Sequence, residues 1–184
     1  MIFTTNKLCC AALLALSLGS SPAMAALAVG AVTPDFSTEA ARAGQAFRFS
    51  LKETLSKGPV VLYFYPKAFT SGCTKEAHNF AEATPKFSAL GATVVGVSND
   101  DIETLKKLSV EACRDKFAVS ADGGARIMKL YDAALWVKPD MADRISYVIS
   151  PQGKVLYVFS SLSPDQHVEN TLKAVQNWRA GTPQ

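Results

Sequence analysis

One cysteine near a predicted helix start is the residue of this chain best suited to chemistry. The stretch PKAFTSGCTKEAH, residues 66–78, places Cys73 directly after Gly72 and three residues after Thr70. Backbone N–H groups and the positive end of the helix dipole favour an anion there. A thiolate is the nucleophilic form of cysteine, so Cys73 is a candidate reactive residue. Its location alone also allows a buried, inert cysteine or half of a static disulfide.

Alternating strand and helix patterns predict the elements that would position Cys73. Residues 60–66, VVLYFYP, form the β-branched and aromatic run expected of a central strand covered on both faces. Cys73 follows this strand by a short loop, at the edge of an α/β sheet where functional residues collect. Further strands are predicted over residues 45–51, 92–98, 144–150 and 154–161, with a Pro-Gln-Gly hairpin joining the last two.

Helical patterns lie between and after these strands, over residues 73–82, 100–114, 124–131 and 163–178. Pro85 is expected to kink or break the first helix before Phe87. Ser163 is expected to cap the last one, with Pro164 in its first turn. This order of elements predicts a three-layer α/β/α domain with a mixed central β-sheet, an order that the thioredoxin-like fold fits.

The first 25 residues have the pattern of an export signal. Lys7 precedes an apolar run over residues 8–18, and Ala-Met-Ala at 23–25 is the small-x-small pattern that signal peptidase recognises. The run is too short to span a bilayer comfortably, which counts against the alternative of an uncleaved anchor. We therefore expect a cleaved signal over 1–25, a single domain over 26–184, and an exported, periplasmic or secreted protein with no stable membrane insertion.

Cleavage would leave a weakly charged domain with two cysteines. The whole chain has a formal net charge of +3, and loss of the segment 1–25 would remove one positive charge, that of Lys7. The remaining net charge is too small to indicate a nucleic-acid-binding surface. Of four cysteines, Cys73 and Cys113 would remain, and two cysteines in an exported domain form either a bridge or a redox couple. The few Cys and His residues are scattered, so we expect no metal site, and no Gly-rich cofactor loop occurs.

The residues around Cys73 carry a family resemblance. Pro66, Thr70 and Cys73 form P-x-x-x-T-x-x-C within YFYPKAFTSGCTKEA. This stretch resembles the peroxiredoxins of the AhpC/TSA superfamily, in particular their bacterioferritin-comigratory or Q-type branch. The similarity resumes at GATVVGVSNDD, KFAVSAD and RISYVISPQGKV, so it covers most of the domain.

The resemblance implies a role for each site residue. Cys73 would be the peroxidatic thiolate that attacks a peroxide and becomes a sulfenic acid. Thr70 would orient the peroxide, Pro66 would wall the pocket against water, and Arg144 would hold the thiolate. Glu76 would brace Arg144. The plainer alternatives are a surface cation at a strand end for Arg144 and an ordinary first-turn acid for Glu76.

The resolving sulfur is the point at which this chain departs from many members of the branch. His78 stands where they carry a resolving cysteine five residues after the first. A helix would place it about 140° around from the sulfur, so we expect no catalytic role for it, and still less for His167. By resemblance to members with a later resolver, Cys113 is expected to form an intramolecular disulfide with Cys73. An external thiol and an intermolecular bridge stay open.

The sequence thus predicts an antioxidant thiol peroxidase with three competitors. One is an exported thiol–disulfide exchange protein, although no C-x-x-C occurs at Cys73. Another is a non-catalytic binding domain with a structural Cys73–Cys113 disulfide, and a distant third is a Cys-His hydrolase. The expected partners are a peroxide and a thioredoxin-like or other thiol reductant, with no cofactor, and the expected assembly is a monomer or weak dimer.

Overall fold

The computed structural model describes residues 26–181 as a seven-stranded mixed sheet with helices on both faces, beside a two-stranded hairpin. The strands are β1 (Ser37–Arg42), β2 (Gln45–Ser50), β3 (Val60–Phe64), β4 (Thr93–Ser98), β5 (Ala118–Ala121), β6 (Ala134–Leu135), β7 (Lys138–Ala142), β8 (Ile145–Ile149) and β9 (Val155–Ser160). The helices are α1 (Leu51–Leu55), α2 (Ser71–Ala89), α3 (Ile102–Glu111), α4 (Arg126–Leu130) and α5 (His167–Arg179).

Strand β3 lies inside the sheet, as its apolar run predicts. The strand order is β2-β1-β5-β4-β3-β8-β9. β3 pairs parallel with β4 and antiparallel with β8, and β4 pairs parallel with β5. Every side chain of β3 is buried, because helices cover both faces of the sheet. The parallel strands β3 and β4 end at the same edge, which is where the loop to Cys73 begins.

Two hydrophobic clusters fill the space between the sheet and its helices. Alternate residues of β3 serve opposite clusters: Val61 and Tyr63 face α2, α3 and α5, whereas Leu62 and Phe64 face α1 and α4. On the first face the Tyr63 ring stacks on Phe80 of α2, with ring centroids 4.5 Å apart. The packing of these rings fixes α2, and with it Cys73, against the sheet.

The predicted kink or break at Pro85 is wrong as to the break, since α2 runs as one helix from Ser71 to Ala89. Proline removes one helical hydrogen bond, but Phe80 before it and Phe87 after it are both fully buried in the same cluster. Burial of these rings holds both halves of the helix on the sheet. The sequence patterns also missed β1, β5, α1 and the β6–β7 hairpin, which are short or lack a clear apolar period.

The last helix begins at His167 rather than after the predicted cap at Ser163. Two carbonyl groups of the preceding segment are hydrogen-bonded to side chains instead of to helix N–H groups. Leu162 O accepts from Arg144 Nε at 3.0 Å, and Ser161 O lies 2.9 Å from His167 Nε2. These tertiary contacts hold the segment in a non-helical path and delay the start of α5.

The predicted boundaries, an export signal over 1–25 and one domain over 26–184, stay predictions, because residues 1–25 and 182–184 lie outside the part of the chain described. Among the helices of residues 26–181, none is both long and apolar enough to cross a bilayer.

Gly96 of β4 provides a test of the packing beneath α2. A Cβ at this position would lie 2.8 Å from Tyr63 Cζ and 2.9 Å from its hydroxyl oxygen. Because Tyr63 is fully buried, we expect Gly96→Ala to lower the free energy of unfolding by about 1–3 kcal/mol in urea titrations. Gly123→Ala is the control, since its Cβ would meet open space. Equal stability of the two variants would contradict this packing.

Candidate active site

The loop between β3 and α2 is held in place from β4. Asp100 Oδ2 accepts from the backbone N–H of Ala68 at 2.7 Å and from Ser98 Oγ at 2.8 Å. Phe69 adopts a positive φ of 62°, which is uncommon for a residue with a side chain. The loop therefore ends in a defined conformation in which Thr70 is the N-cap of α2.

Thr70 lies at the exposed mouth of this loop and Pro66 is half-buried at its start. The Thr70 backbone is extended, and its hydroxyl donates to Lys67 O at 3.1 Å instead of capping the helix. With its proton used in this way, the Thr70 oxygen keeps lone pairs free to accept a hydrogen bond from outside the protein.

Cys73 is buried in the first turn of α2, where the helix N–H groups and dipole favour a thiolate. Arg144 Nη2 donates to its sulfur at 3.4 Å. A Cβ on Gly72 would lie 3.2 Å from the same nitrogen, so the absent side chain leaves room for the guanidinium. A cation thus contacts the sulfur directly.

Arg144 precedes β8 and donates hydrogen bonds to three different partners. Besides the sulfur, it binds the Leu162 carbonyl through Nε and Glu76 Oε2 through Nη1. Burial alone would lower the pKa of Arg144, but Glu76 and Cys73 raise that pKa above its usual value. The guanidinium therefore stays charged in a fixed orientation.

Glu76 follows Cys73 by three residues and is fully buried. Burial raises the pKa of Glu76 to about 7, and Arg144 opposes this rise. Its Oε2 atom pairs with Arg144, whereas Oε1 has no hydrogen-bond partner anywhere in residues 26–181. The carboxyl group is accordingly close to balance between its two protonation states at neutral pH.

Sequence reasoning missed His167, which lies fully buried beside this cluster. Its Nδ1 atom is 2.8 Å from Ser146 Oγ and 3.6 Å from Glu76 Oε1. The patterns held no signal for it, because they placed residue 167 in the first turn of a helix with a different start. His78, by contrast, is half-buried and faces Arg114, with 3.4 Å between Nδ1 and Nη2.

Cys113 directly follows the C-cap of α3 and is fully buried. Burial raises the pKa of its thiol, so the buried group stays protonated. Within residues 26–181 both Cys73 and Cys113 are free thiols. The structure brings Cys73, Glu76 and Arg144 into contact, with Thr70 and Pro66 on the adjoining loop, and leaves Cys113 outside this cluster. The same part of the chain holds no group of three His, Cys, Asp or Glu residues arranged to bind a metal.

Known proteins resemble this chain in sequence and in fold. The family model described as "AhpC/TSA family" matches residues 29–158. A chloroplastic peroxiredoxin Q of Triticum aestivum is 35% identical over 120 residues, which cover 65% of this chain and 55% of the relative. A peroxiredoxin-like relative from Mycobacterium tuberculosis is 35% identical over 134 residues, which cover 71% and 86%. The chain thus spans only about half the length of its chloroplastic relatives.

A solved structure confirms the predicted thioredoxin-like fold. The crystal structure of the peroxidoxin BcpB from Mycobacterium tuberculosis aligns with a TM-score of 0.69 and 34% identity. The alignment covers 80% of this chain and 96% of that one. These relatives do not favour the disulfide-exchange protein or the stapled binding domain considered as alternatives.

The expected export to a periplasm or to the medium is corrected by the same relatives. They are chloroplastic peroxiredoxins Q and a mycobacterial protein, so they give no evidence of export. A short apolar run between a lysine and small residues is a weak pattern, and residues 1–25, which carried the expectation, lie outside the described structure.

The family is established by two independent measures. The family model spans more than half of the chain, and the mycobacterial relative exceeds 30% identity over most of its own length. The structural alignment with BcpB extends the agreement to the fold. The chain therefore belongs to the AhpC/TSA family, in the Q-type branch of the peroxiredoxins.

Proposed function

We propose that the chain is an antioxidant thiol peroxidase that reduces hydrogen peroxide and organic hydroperoxides at Cys73. The observation that carries this proposal is the contact of 3.4 Å between Arg144 Nη2 and Cys73 Sγ at a helix N-terminus. A cation and a helix dipole acting on one buried sulfur favour the thiolate, which is the reactive form. Family membership supports the same chemistry.

The reaction is a two-electron transfer between sulfur and oxygen. The thiolate of Cys73 attacks one oxygen of the peroxide, an S–O bond forms, and the O–O bond breaks. Cys73 becomes a sulfenic acid, and the second oxygen leaves as hydroxide or alkoxide, which takes a proton from the solvent to give water or an alcohol. Negative charge therefore moves from the sulfur toward the departing oxygen, and the surrounding donors must stabilise it there.

Arg144 meets this demand, and Thr70 and Pro66 fit the reaction in other ways. Thr70 has a free acceptor oxygen that would take the hydrogen bond of the peroxide O–H, since its own proton is donated to Lys67 O. Arg144 would donate to the peroxide oxygens as well as to the sulfur. Pro66, half-buried at the start of the loop, would limit the access of water.

The sulfenic acid would be resolved by Cys113. Both cysteines are buried and unbridged. A disulfide requires Cα atoms within about 7 Å, so if the folded chain holds them further apart, the first turn of α2 and the end of α3 would unfold locally to form the bridge. Unfolding would also expose Cys113 to water and restore its acidity. A thioredoxin-like reductant would then reduce the disulfide, and we propose a monomer or weak dimer as the working form.

Cys73 provides the direct test of the function. One equivalent of hydrogen peroxide should consume the thiol of the reduced protein within seconds, far faster than it consumes free cysteine. Cys73→Ser should abolish this reaction, because it removes the nucleophile. Thiol loss by the unsubstituted protein at the rate of free cysteine would contradict the peroxidase proposal.

Arg144→Lys tests the geometry of the cation separately from its charge. One ammonium group cannot reach the sulfur, Glu76 Oε2 and Leu162 O together, as the guanidinium does. We expect kcat/KM for hydrogen peroxide to fall by roughly 10²–10³-fold. Arg114→Lys is the control, since Arg114 pairs with Glu82 on the surface, and its rate should stay within about twofold. Equal rates in the two variants would contradict the role of Arg144.

Cys113→Ser distinguishes the two-cysteine cycle from resolution by an external thiol. After one equivalent of peroxide, the unsubstituted protein should contain a Cys73–Cys113 disulfide, detected by mass spectrometry of its peptides. The variant should instead accumulate a sulfenic acid at Cys73 that dimedone labels. Unchanged turnover with a thioredoxin-like reductant would rule out Cys113 as the resolver.

A further inference from the structure

A buried polar contact behind Arg144 has no role in the proposed reaction. His167 Nε2 lies 2.9 Å from the Ser161 carbonyl, which only accepts hydrogen bonds, so Nε2 must carry the proton. Nδ1 of the neutral ring is then an acceptor, and Ser146 Oγ donates to it at 2.8 Å. The histidine is thus held as one tautomer by a strand and a loop.

Glu76 Oε1 faces the same Nδ1 atom at 3.6 Å. Two acceptors therefore face each other in the interior, and Oε1 finds no donor among residues 26–181. An unpaired buried acceptor destabilises the folded state, because it has lost its hydrogen bonds to water. A single proton bound by either group would remove this destabilisation, which marks the contact as a place where the protein can take up a proton.

The charges of the cluster point in the same direction. Arg144 contacts both Cys73 and Glu76. With Cys73 as a thiolate and Glu76 as a carboxylate, one buried cation faces two anions. A proton on Glu76 or His167 brings the net charge of the cluster to zero. The guanidinium of Arg144 then stabilises mainly the thiolate.

We propose that His167 is a positioning residue that acts on Cys73 through Glu76 and Arg144: the histidine and the carboxyl group share one proton-binding site, and its occupancy sets how strongly Arg144 stabilises the thiolate. Ser146 takes part by donating to His167 when the site is empty. This inference rests on the proposed function for its consequence, but the proton site itself is a property of the folded protein.

Linkage makes the effect reciprocal. If the bound proton favours the thiolate, the thiolate must favour the bound proton, and oxidation of Cys73 to a neutral sulfenic acid must release it. Burial raises the pKa of Glu76 to about 7 and lowers the pKa of His167, which places the shared titration near neutral pH.

Within residues 26–181, few other titratable or charged groups lie near the pair. Burial lowers the pKa of His167 and is the largest effect on it. Arg144 also lowers this pKa, whereas Asp143 raises it. Tyr63 of β3 faces Glu76, and burial raises the pKa of that phenol well above 10, so it stays neutral at physiological pH. The groups that face the pair from the packed elements are Cys73 from α2, Tyr63 from β3, Arg144 and Asp143 before β8, and Ser146 from β8.

The proton site can be observed directly by NMR of protein labelled with ¹⁵N-histidine, between pH 5 and 9. We expect His167 to show the Nε2–H tautomer in the reduced protein, and its nitrogen shifts to report a titration near neutral pH. In Cys73→Ser, which has no thiolate, the midpoint should fall by about half to one pH unit. His78 in the same spectrum is the control and should keep its midpoint, because it faces Arg114.

Two further substitutions should act in opposite directions on the pH midpoint for alkylation of Cys73 by iodoacetamide, followed by mass spectrometry of its peptide. In His167→Gln the amide N–H₂ can donate to Glu76 Oε1, which keeps Glu76 charged and raises the midpoint. Ser146→Ala removes the donor to neutral His167, which favours proton uptake and lowers the midpoint. Expected shifts are about half a pH unit each. His78→Gln is the matched control and should not shift it.

Several results would overturn the inference. These are an Nδ1–H tautomer of His167, a His167 titration that is identical in the reduced protein and in Cys73→Ser, or two variants that shift the alkylation midpoint in the same direction or not at all. If the two substitutions acted only by loosening the packing, both would shift the alkylation midpoint in the same direction. Failure of the peroxidase proposal would appear instead as slow thiol loss with hydrogen peroxide, which none of these measurements uses.

Discussion

The guanidinium of Arg144 is the group on which the rest of the site depends. It donates to Cys73 in the first turn of α2, to Glu76 one turn later, and to the Leu162 carbonyl between β9 and α5. Removing one partner of a buried ion pair typically costs about 3–5 kcal/mol, because the other charge is left uncompensated. The Cys73 sulfur and the packing of α2 against β8 and α5 are therefore held by the same contacts.

The loop before Cys73 depends on a second anchor at the same edge of the sheet. Asp100, just beyond β4, accepts from the Ala68 backbone and lies 3.6 Å from Lys67 Nζ. Because β3 and β4 are parallel neighbours, their carboxyl ends bring this aspartate beside the loop that leaves β3. Thr70 is thus positioned by the sheet, whereas Cys73 is positioned by the helix and by Arg144.

Much of the site could be predicted from local sequence. The apolar run of β3 and the Pro66–Thr70–Cys73 spacing indicate a strand, a loop and a helix start. Glu76 follows Cys73 by three positions, which places both on one helical face. Arg144 could be assigned only by resemblance to a family, since nothing in its own neighbourhood shows what it contacts. His167 could not be assigned at all, because its burial depends on where α5 starts, and contacts to Ser146 and Ser161 decide that start.

The sequence by itself determined the central strand β3, the helix that follows it, the family and the candidate nucleophile Cys73, because these follow from periodicity and from motifs within a short span of chain. The tertiary structure alone decided that one buried cation serves two acidic groups, that Glu76 has one unpaired oxygen, and that His167 lies against it. The physical reason is that desolvation and charge pairing arise between α2, β8 and α5, which are distant in the chain and meet only when the sheet has formed.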